Sequence, residues 1–118
     1  MAFSKSGLYE KDYQLLSGIG RAFSHSARLQ IMDHLGVEGI CSVEELHRNH
    51  HISQGSFSDH LKILREAHLV EWEERYPYTY YWLHEENFLF AKKMLMEYLG
   101  RVIPGKKSKK KNGKRKGI

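Results

Sequence analysis

Apolar residues in the middle of the chain recur at the three- and four-residue intervals of an α-helix. Phe57, Leu61 and Leu64 form one such stripe, and a helix is therefore predicted over Ser53–Ala67, with its first serine as the N-cap. A shorter helix, Val43 to about His50, is predicted just before it, capped by the preceding serine. A short turn joins the two, and the pattern as a whole predicts a helix-turn-helix.

Three further helices are predicted around this centre, over Leu8–Phe23, Ala27–Leu35 and Glu85–Val102. The residues expected to point inward are Leu8, Leu15, Leu16, Ile19 and Phe23 in the first helix, Leu29, Met32 and Leu35 in the second, and Phe88, Ala91, Leu95, Leu99 and Val102 in the last. Gly36 and Gly39 are expected to bracket a loop after the second helix.

The stretch Val70–His84 is rich in tyrosine and tryptophan, which favour β-strands, and its turn is predicted near Arg75–Pro77. It is expected to form a two-stranded hairpin. His68 lies where the preceding helix must end, and we expect it in the left-handed conformation that histidine tolerates better than most residues. The predicted fold is mainly α, with five helices and one small hairpin.

Four blocks of this sequence occur in an order and at distances that match a known family: AFSHSARLQIMDHL at 22–35, CSVEEL at 41–46, SDHLKILREAHLVE at 58–71 and YYWL at 80–83. Over about residues 20–84 the chain resembles the ArsR-type winged helix-turn-helix family of bacterial dimeric repressors. The resemblance implies a homodimer formed through the first and last helices. It also implies a transcriptional regulator that binds double-stranded DNA at an imperfect palindromic operator.

The helix that begins at Ser53 is then the recognition helix. Its first residues are small or hydrogen-bonding, a profile that a major groove admits, and an amide such as that of Gln54 can pair with an adenine edge. The residues expected to contact DNA are Ser53, Gln54, Ser56, Asp59, His60 and Lys62 on the helix and Arg75 on the wing.

Three of these positions need comment. Asp59 stands where the family commonly has a basic or polar residue, so its carboxylate either repels phosphates or accepts a hydrogen bond from cytosine. His60 matches a motif histidine and is expected to be either a packing residue or a phosphate contact. The wing tip carries Tyr76 and Pro77 in place of the family's usual Gly-Arg, which leaves Arg75 as the basic residue near the tip.

The net charge of +5 is concentrated at one end of the chain. Eight of the 19 basic side chains lie in residues 106–118, which hold no acidic residue, so residues 1–105 carry 11 basic and 14 acidic side chains and a net charge of −3. We therefore divide the chain into a dimeric winged helix-turn-helix domain, residues 1–104, and a basic tail expected to be disordered, residues 105–118. The basic tail residues expected to contact phosphates are Lys106, Lys107, Lys109, Lys110, Lys111, Lys114, Arg115 and Lys116.

Metal and cofactor chemistry is not expected. Cys41 is the single cysteine, and the positions of a two-cysteine metal site known in the family are occupied by Ser42 and Glu44. The last helix has His84 just before it but lacks the second histidine of another family site. No catalytic motif is present, so we expect no enzyme activity, no metal and no cofactor.

The chain contains neither a signal-peptide pattern nor an apolar run that could span a membrane, which predicts a cytoplasmic protein. Two other functions stay open. The winged helix could be a protein-interaction module that no longer reads DNA, because its main body is acidic and lacks the wing arginine of the family. Alternatively, the basic tail could bind nucleic acids without sequence preference.

Overall fold

The computed structural model describes residues 10–103, which form five helices and three strands. In chain order these are α1 (Glu10–Ala22), α2 (Ser26–Glu38), β1 (Cys41–Ser42), α3 (Val43–Arg48), α4 (Gln54–Glu66), β2 (Val70–Arg75), β3 (Tyr78–Leu83) and α5 (Glu85–Val102). The predicted winged helix-turn-helix is thereby confirmed. None of the described helices has the length and apolar character that crossing a membrane requires.

Both helices of the helix-turn-helix begin at the serines predicted to cap them. The Ser42 hydroxyl accepts the Glu45 backbone N–H at 3.1 Å, and the Glu45 carboxylate accepts the Ser42 backbone N–H at 3.0 Å. This reciprocal pair is a capping box, which satisfies two otherwise unpaired backbone donors. The Ser53 hydroxyl accepts the Ser56 backbone N–H at 3.2 Å and thereby fixes the start of α4.

The end of α4 also follows the prediction. His68 has a φ of 61°, and its N–H donates to the carbonyl of Arg65, while the N–H of Leu69 donates to the carbonyl of Leu64. These two bonds are the pair found in a Schellman C-terminus. Histidine therefore occupies a left-handed position that usually holds glycine.

The end of α2 differs from the prediction. The helix runs through Gly36 to Glu38 and stops at Gly39, which has a φ of 85° and donates its N–H to the carbonyl of Leu35. The expected loop from Gly36 was therefore wrong. One glycine inside a helix is only weakly destabilising, whereas a positive φ ends the helix outright.

The wing is formed by β2 and β3, which pair antiparallel from Val70 opposite Leu83 to Arg75 opposite Tyr78, with a two-residue turn at Tyr76–Pro77. This agrees with the predicted hairpin and turn. The prediction missed β1, whose two residues pair with β3 and make a three-stranded sheet in the order β1-β3-β2. Two residues are too few to leave an alternating pattern in the sequence.

The core lies between the five helices and the base of the sheet. Its largest fully buried apolar side chains are Phe57, Ile31, Leu35, Leu46, Leu64, Leu69 and Met94. The stripe predicted for α4 is confirmed, since Phe57, Leu61 and Leu64 are all buried. Burying this face commits the opposite face of α4 to solvent.

Several side chains expected inside are instead exposed: Leu15 at 41%, Leu29 at 45%, Leu99 at 52% and Val102 at 50%. On α2 the inward face is Arg28, Ile31, Met32 and Leu35, with Arg28 only 5% exposed. Met32 and Leu35 are buried as predicted, and the prediction was wrong for Leu29, because this face of α2 buries a guanidinium whose donors are satisfied by backbone carbonyls and neighbouring side chains. Leu8, also expected to point inward, lies outside the described residues.

Candidate nucleic-acid interface

The first turn of α4 is open to solvent. Ser53, Gln54, Gly55 and Ser56 are all exposed and uncharged. The Ser53 hydroxyl is already engaged as the N-cap acceptor, so its first role is to fix the helix. Gln54 and Ser56 follow it with side chains that can both donate and accept hydrogen bonds.

Asp59 and Lys62 lie further along the exposed side of α4. They carry opposite charges three residues apart, a spacing at which side chains on a helix are neighbours. The solvent-facing side of the helix therefore has no net positive charge between them. Electrostatic attraction to phosphates must come from elsewhere in the chain, whereas this face offers hydrogen-bonding groups.

Arg28 on α2 connects α4 to the end of α1 through its hydrogen bonds. Its guanidinium donates to the backbone carbonyls of Arg21 at 2.9 Å and Ala22 at 3.2 Å, and to the Ser24 hydroxyl at 3.1 Å. Its Nη1 lies 2.8 Å from Nδ1 of His60 on α4. The end of α1, the start of α2 and the middle of α4 thus meet at one buried cation. Sequence reasoning missed this residue, although Arg28 lies inside one of the blocks that carry the family resemblance.

His60 is half-buried, and its ring packs against that of His25 with centroids 4.4 Å apart. Burial, followed by the positive environment of His25 and Arg28, lowers the pKa of His60, while Asp59 acts in the opposite direction. The ring is therefore neutral at neutral pH. The packing interpretation of this residue has direct structural support, and its contact with DNA stays a prediction.

The wing is charged, and its one arginine is paired with a carboxylate of the wing itself. Arg75 donates to the Glu73 carboxylate at 2.9 Å and lies over the Tyr80 ring at 5.6 Å. The Glu71 carboxylate accepts the Trp82 indole N–H at 2.8 Å. At the tip Tyr76 is 98% exposed. The wing therefore presents carboxylates and aromatic rings, with its predicted DNA contact already paired.

This arrangement can be compared with known proteins. The family model described as bacterial regulatory protein, arsR family, matches residues 25–71, which run from the cap of α2 into β2. This segment is therefore similar to the helix-turn-helix of the ArsR family. No curated protein matches the chain in sequence.

Solved structures extend the likeness to the rest of the ArsR-type fold. An ArsR-like transcriptional regulator from Rhodococcus sp. RHA1 is 21% identical with a TM-score of 0.66, covering 76% of this chain and 84% of that one. The transcriptional repressor BigR from Xylella fastidiosa is 28% identical with a TM-score of 0.57, covering 75% and 91%. HlyU from Vibrio cholerae is 29% identical with a TM-score of 0.58, covering 80% and 97%. The chain thus has the fold of a DNA-binding transcriptional regulator.

In this ArsR-type motif the turn between α3 and α4 is lined with histidines. Nε2 of His47 lies 2.8 Å from the carbonyl of Ile52, and the His50 ring packs against Phe57 and His34. Nε2 of His50 is buried without a hydrogen-bond partner among the described residues. Burial, followed by the neighbouring His34, His47 and His51, lowers the pKa of His50, so burial of this ring favours its neutral form.

The metal sites of the ArsR family have no counterpart at the positions considered above. Within residues 10–103, no group of three or more His, Cys, Asp or Glu side chains is arranged to hold a metal ion. Cys41 is buried, and burial together with Glu45 and Glu38 raises the pKa of its thiol, which favours the unreactive protonated form. The predicted tail contacts lie in residues 105–118, outside the described part of the chain.

Proposed function

We propose that this protein is a homodimeric, sequence-specific DNA-binding transcriptional regulator that acts as a repressor. The observation that carries the proposal is the exposed, uncharged first turn of α4, at the end of a helix whose opposite face is fully buried. The likeness to an ArsR-family helix-turn-helix and to the repressor BigR supports the same conclusion.

Small side chains at this end let the helix backbone come close to base edges in the major groove. Gly55 has open space around the position a Cβ would take, so nothing in the protein obstructs the approach. Gln54 can then offer its amide bidentately to adenine, which is a common pairing in major-groove recognition. Ser56 can donate or accept at a neighbouring base or phosphate.

The dimer is proposed from apolar side chains that the single chain leaves exposed. On α5 they are Leu89 at 59%, Met96 at 62%, Leu99 at 52% and Val102 at 50% exposed, and on α1 they are Tyr13 at 47% and Leu15 at 41%. Exposed apolar surface of this kind marks interaction sites. Added Cβ atoms at Gly18 and Gly20 would also meet nothing within 4 Å, which leaves that side of α1 open to a second chain.

Two-fold symmetry then sets the mode of repression. A dimer presents two copies of α4 to successive major grooves about one helical turn apart, so its operator is an imperfect palindrome. Bound over a promoter, it blocks polymerase sterically. The basic tail adds phosphate contacts, each of which contributes a log–log salt slope of about −0.9 on duplex DNA.

The test is a mobility shift with the promoter of the protein's own operon and a scrambled duplex, at two salt concentrations. The full chain is compared with a chain ending at residue 104, and sedimentation measures the oligomeric state of both. We expect a dimer that retains its preference for the promoter after tail removal. Loss of all binding with the tail would contradict sequence-specific recognition and support a tail-driven binder.

One observation favours a second function, a protein-interaction module. The wing carries Glu73 and Glu74 exposed, and α4 carries Asp59, all on surfaces that face DNA in the proposed complex. Carboxylates at these positions repel phosphates and suit a cationic protein surface. Absence of any shift, with or without residues 105–118, would favour this alternative.

A further inference from the structure

Two imidazoles stack beside the recognition helix. His25, the exposed N-cap of α2, and the half-buried His60 of α4 have ring centroids 4.4 Å apart. Ser56 lies one turn before His60 on the same flank of α4. The pair therefore borders the helix end that is proposed to enter the major groove.

The hydrogen bonds of this pair fix where each ring carries its proton. A guanidinium can only donate, so Nδ1 of His60 must accept from Arg28 across their 2.8 Å contact. Nδ1 of His25 likewise accepts the backbone N–H of Ala27 at 3.0 Å. In both neutral rings the proton is therefore on Nε2.

Both Nε2–H groups are free to bind a ligand. Neither has a hydrogen-bond partner among the described residues, and neither is among the buried unpaired atoms, in contrast to Nε2 of His50. Both Nε2 atoms are thus accessible to solvent on rings that stack on each other, and the permanently charged Arg28 guanidinium, only 5% exposed, lies against the opposite nitrogen of His60. Such a set of donors suits an anion.

We propose that the Nε2–H groups of His25 and His60 bind phosphodiester oxygens of the DNA backbone, and that Arg28 is a positioning residue that holds the His60 ring in the donating tautomer. This inference rests on the proposed DNA-binding function and adds a phosphate contact to it. Contacts of this kind fix the register of a recognition helix without reading sequence.

Electrostatics supports a neutral contact. The lowered pKa of His60 keeps Nδ1 available to accept from Arg28 at neutral pH, because protonation would place an N–H against the guanidinium. Asp59 is the charged group that opposes an anion here. A neutral donor does not neutralise the phosphate it binds and so releases no counterion from the DNA. It therefore contributes affinity without adding to the salt dependence that lysine and arginine contacts cause.

The first measurement is made without DNA. Imidazole nitrogen chemical shifts of the full chain distinguish the two neutral tautomers of each histidine. We expect the Nε2–H form for His25 and His60. The Nδ1–H form at either ring would overturn the proposal whether or not the protein binds DNA.

The second measurement uses binding to the promoter and to a random-sequence duplex over about 50–200 mM salt. His25→Asn keeps a side-chain oxygen to cap α2 but cannot reach the phosphate, and His60→Leu removes the donor on α4. We expect each variant to lose roughly 10-fold in affinity on both duplexes, at an unchanged salt slope. His60→Gln, which can accept from Arg28 and still donate, is expected to recover most of the loss.

Two controls make the outcome decisive. His84→Asn removes another N-cap imidazole, whose Nδ1 accepts the Asn87 backbone N–H at the start of α5, and it should bind as the wild type does. Lys62→Ala should lower the salt slope by about 0.9, in contrast to the histidine variants. If His60→Leu does not fold, the affinity of His25→Asn and the tautomers measured in the wild type test the proposed phosphate contact.

Wild-type affinity in His25→Asn and His60→Leu, or a changed salt slope, would overturn the phosphate contact while leaving the proposed DNA-binding function standing. Absence of binding by the wild-type chain to either duplex would instead overturn both together.

Discussion

The predicted recognition helix α4, on its exposed face, and the wing both present polar groups to solvent, but they differ in how far those groups are already satisfied. Gln54 and Ser56 stand on an exposed, uncharged turn, and no side chain within residues 10–103 forms a hydrogen bond with the Gln54 amide. On the wing, Arg75 is paired with Glu73 at 2.9 Å. A hydrogen bond from Gln54 to DNA would therefore be formed without breaking a contact within the protein. A contact between Arg75 and DNA would instead have to replace the ion pair with Glu73.

This difference indicates where binding energy arises. Exposed ion pairs contribute little, typically about 0.2–1 kcal/mol, and replacing one by a phosphate contact gains correspondingly little. A bidentate base contact discriminates by about 1–3 kcal/mol. We therefore expect sequence preference to depend on α4 and only weakly on the wing.

The largest expected effect is on the support of α4. Leu61→Ala deletes a buried side chain of the stripe and should lower the free energy of unfolding by about 2–5 kcal/mol. Lys62→Ala, its exposed neighbour, should change it by less than about 0.5 kcal/mol. Urea unfolding of both variants provides the measurement, and equal stabilities would show that α4 is held by something other than its buried face.

The next effect concerns base recognition. Gln54→Ala should weaken binding to the promoter by about 1–3 kcal/mol and leave binding to a scrambled duplex nearly unchanged. Fluorescence anisotropy with both duplexes measures the two affinities. Tyr76→Ala at the wing tip is the matched comparison. It should change the ratio of the two affinities less than Gln54→Ala does. An equal loss on both duplexes for Gln54→Ala would rule out a base contact.

The turn that carries α4 should respond to pH. His50 takes up its proton near pH 6.5 when unfolded but only at lower pH when folded, because burial and the neighbouring histidines lower its pKa. Its contribution to stability is complete above pH 6.5 and is lost as the pH falls through the folded pKa. The unfolding free energy of the wild type should therefore fall relative to that of His50→Phe as the pH drops below 6.5. A constant difference between pH 8 and pH 5 would contradict this prediction.

The smallest effects are expected on the wing. Glu73→Gln releases Arg75 from its ion pair and should strengthen binding to both duplexes by less than about 1 kcal/mol. Arg75→Ala should weaken it by a similarly small amount. Titrations at low salt have the best chance of resolving the change, because exposed charges are then least screened. A large loss of affinity in Arg75→Ala would instead show that the wing contributes as much to DNA binding as α4 does.

Much of the fold was predictable because its signals are local. The caps at Ser42 and Ser53, the left-handed turn at His68 and the buried stripe on α4 each depend on residues within a few positions of one another. The two-residue strand β1 was not predictable, since it exists only by pairing with β3, about forty residues away.

The candidate site was predictable only in outline. Its exposed first turn follows from the stripe on the other side of α4, so Gln54 and Ser56 could be chosen from periodicity. The burial of Arg28 could not be predicted, because a charged residue is assigned to the surface unless its partners are known. One of its partners is the ring of His60, 32 residues away. The pairing of Arg75 with Glu73 likewise depends on how the hairpin brings side chains together.

The sequence by itself thus determined the order of the five helices and the hairpin, the position of the predicted recognition helix and the absence of family cysteine ligands. Only the tertiary structure decided that Arg28 lies inside, that His25 and His60 each present an Nε2–H donor, and that the wing arginine is already paired. The physical reason is that capping and periodicity are properties of neighbouring residues. The burial of a charge and the tautomer of a ring are instead set by groups that folding brings from distant parts of the chain.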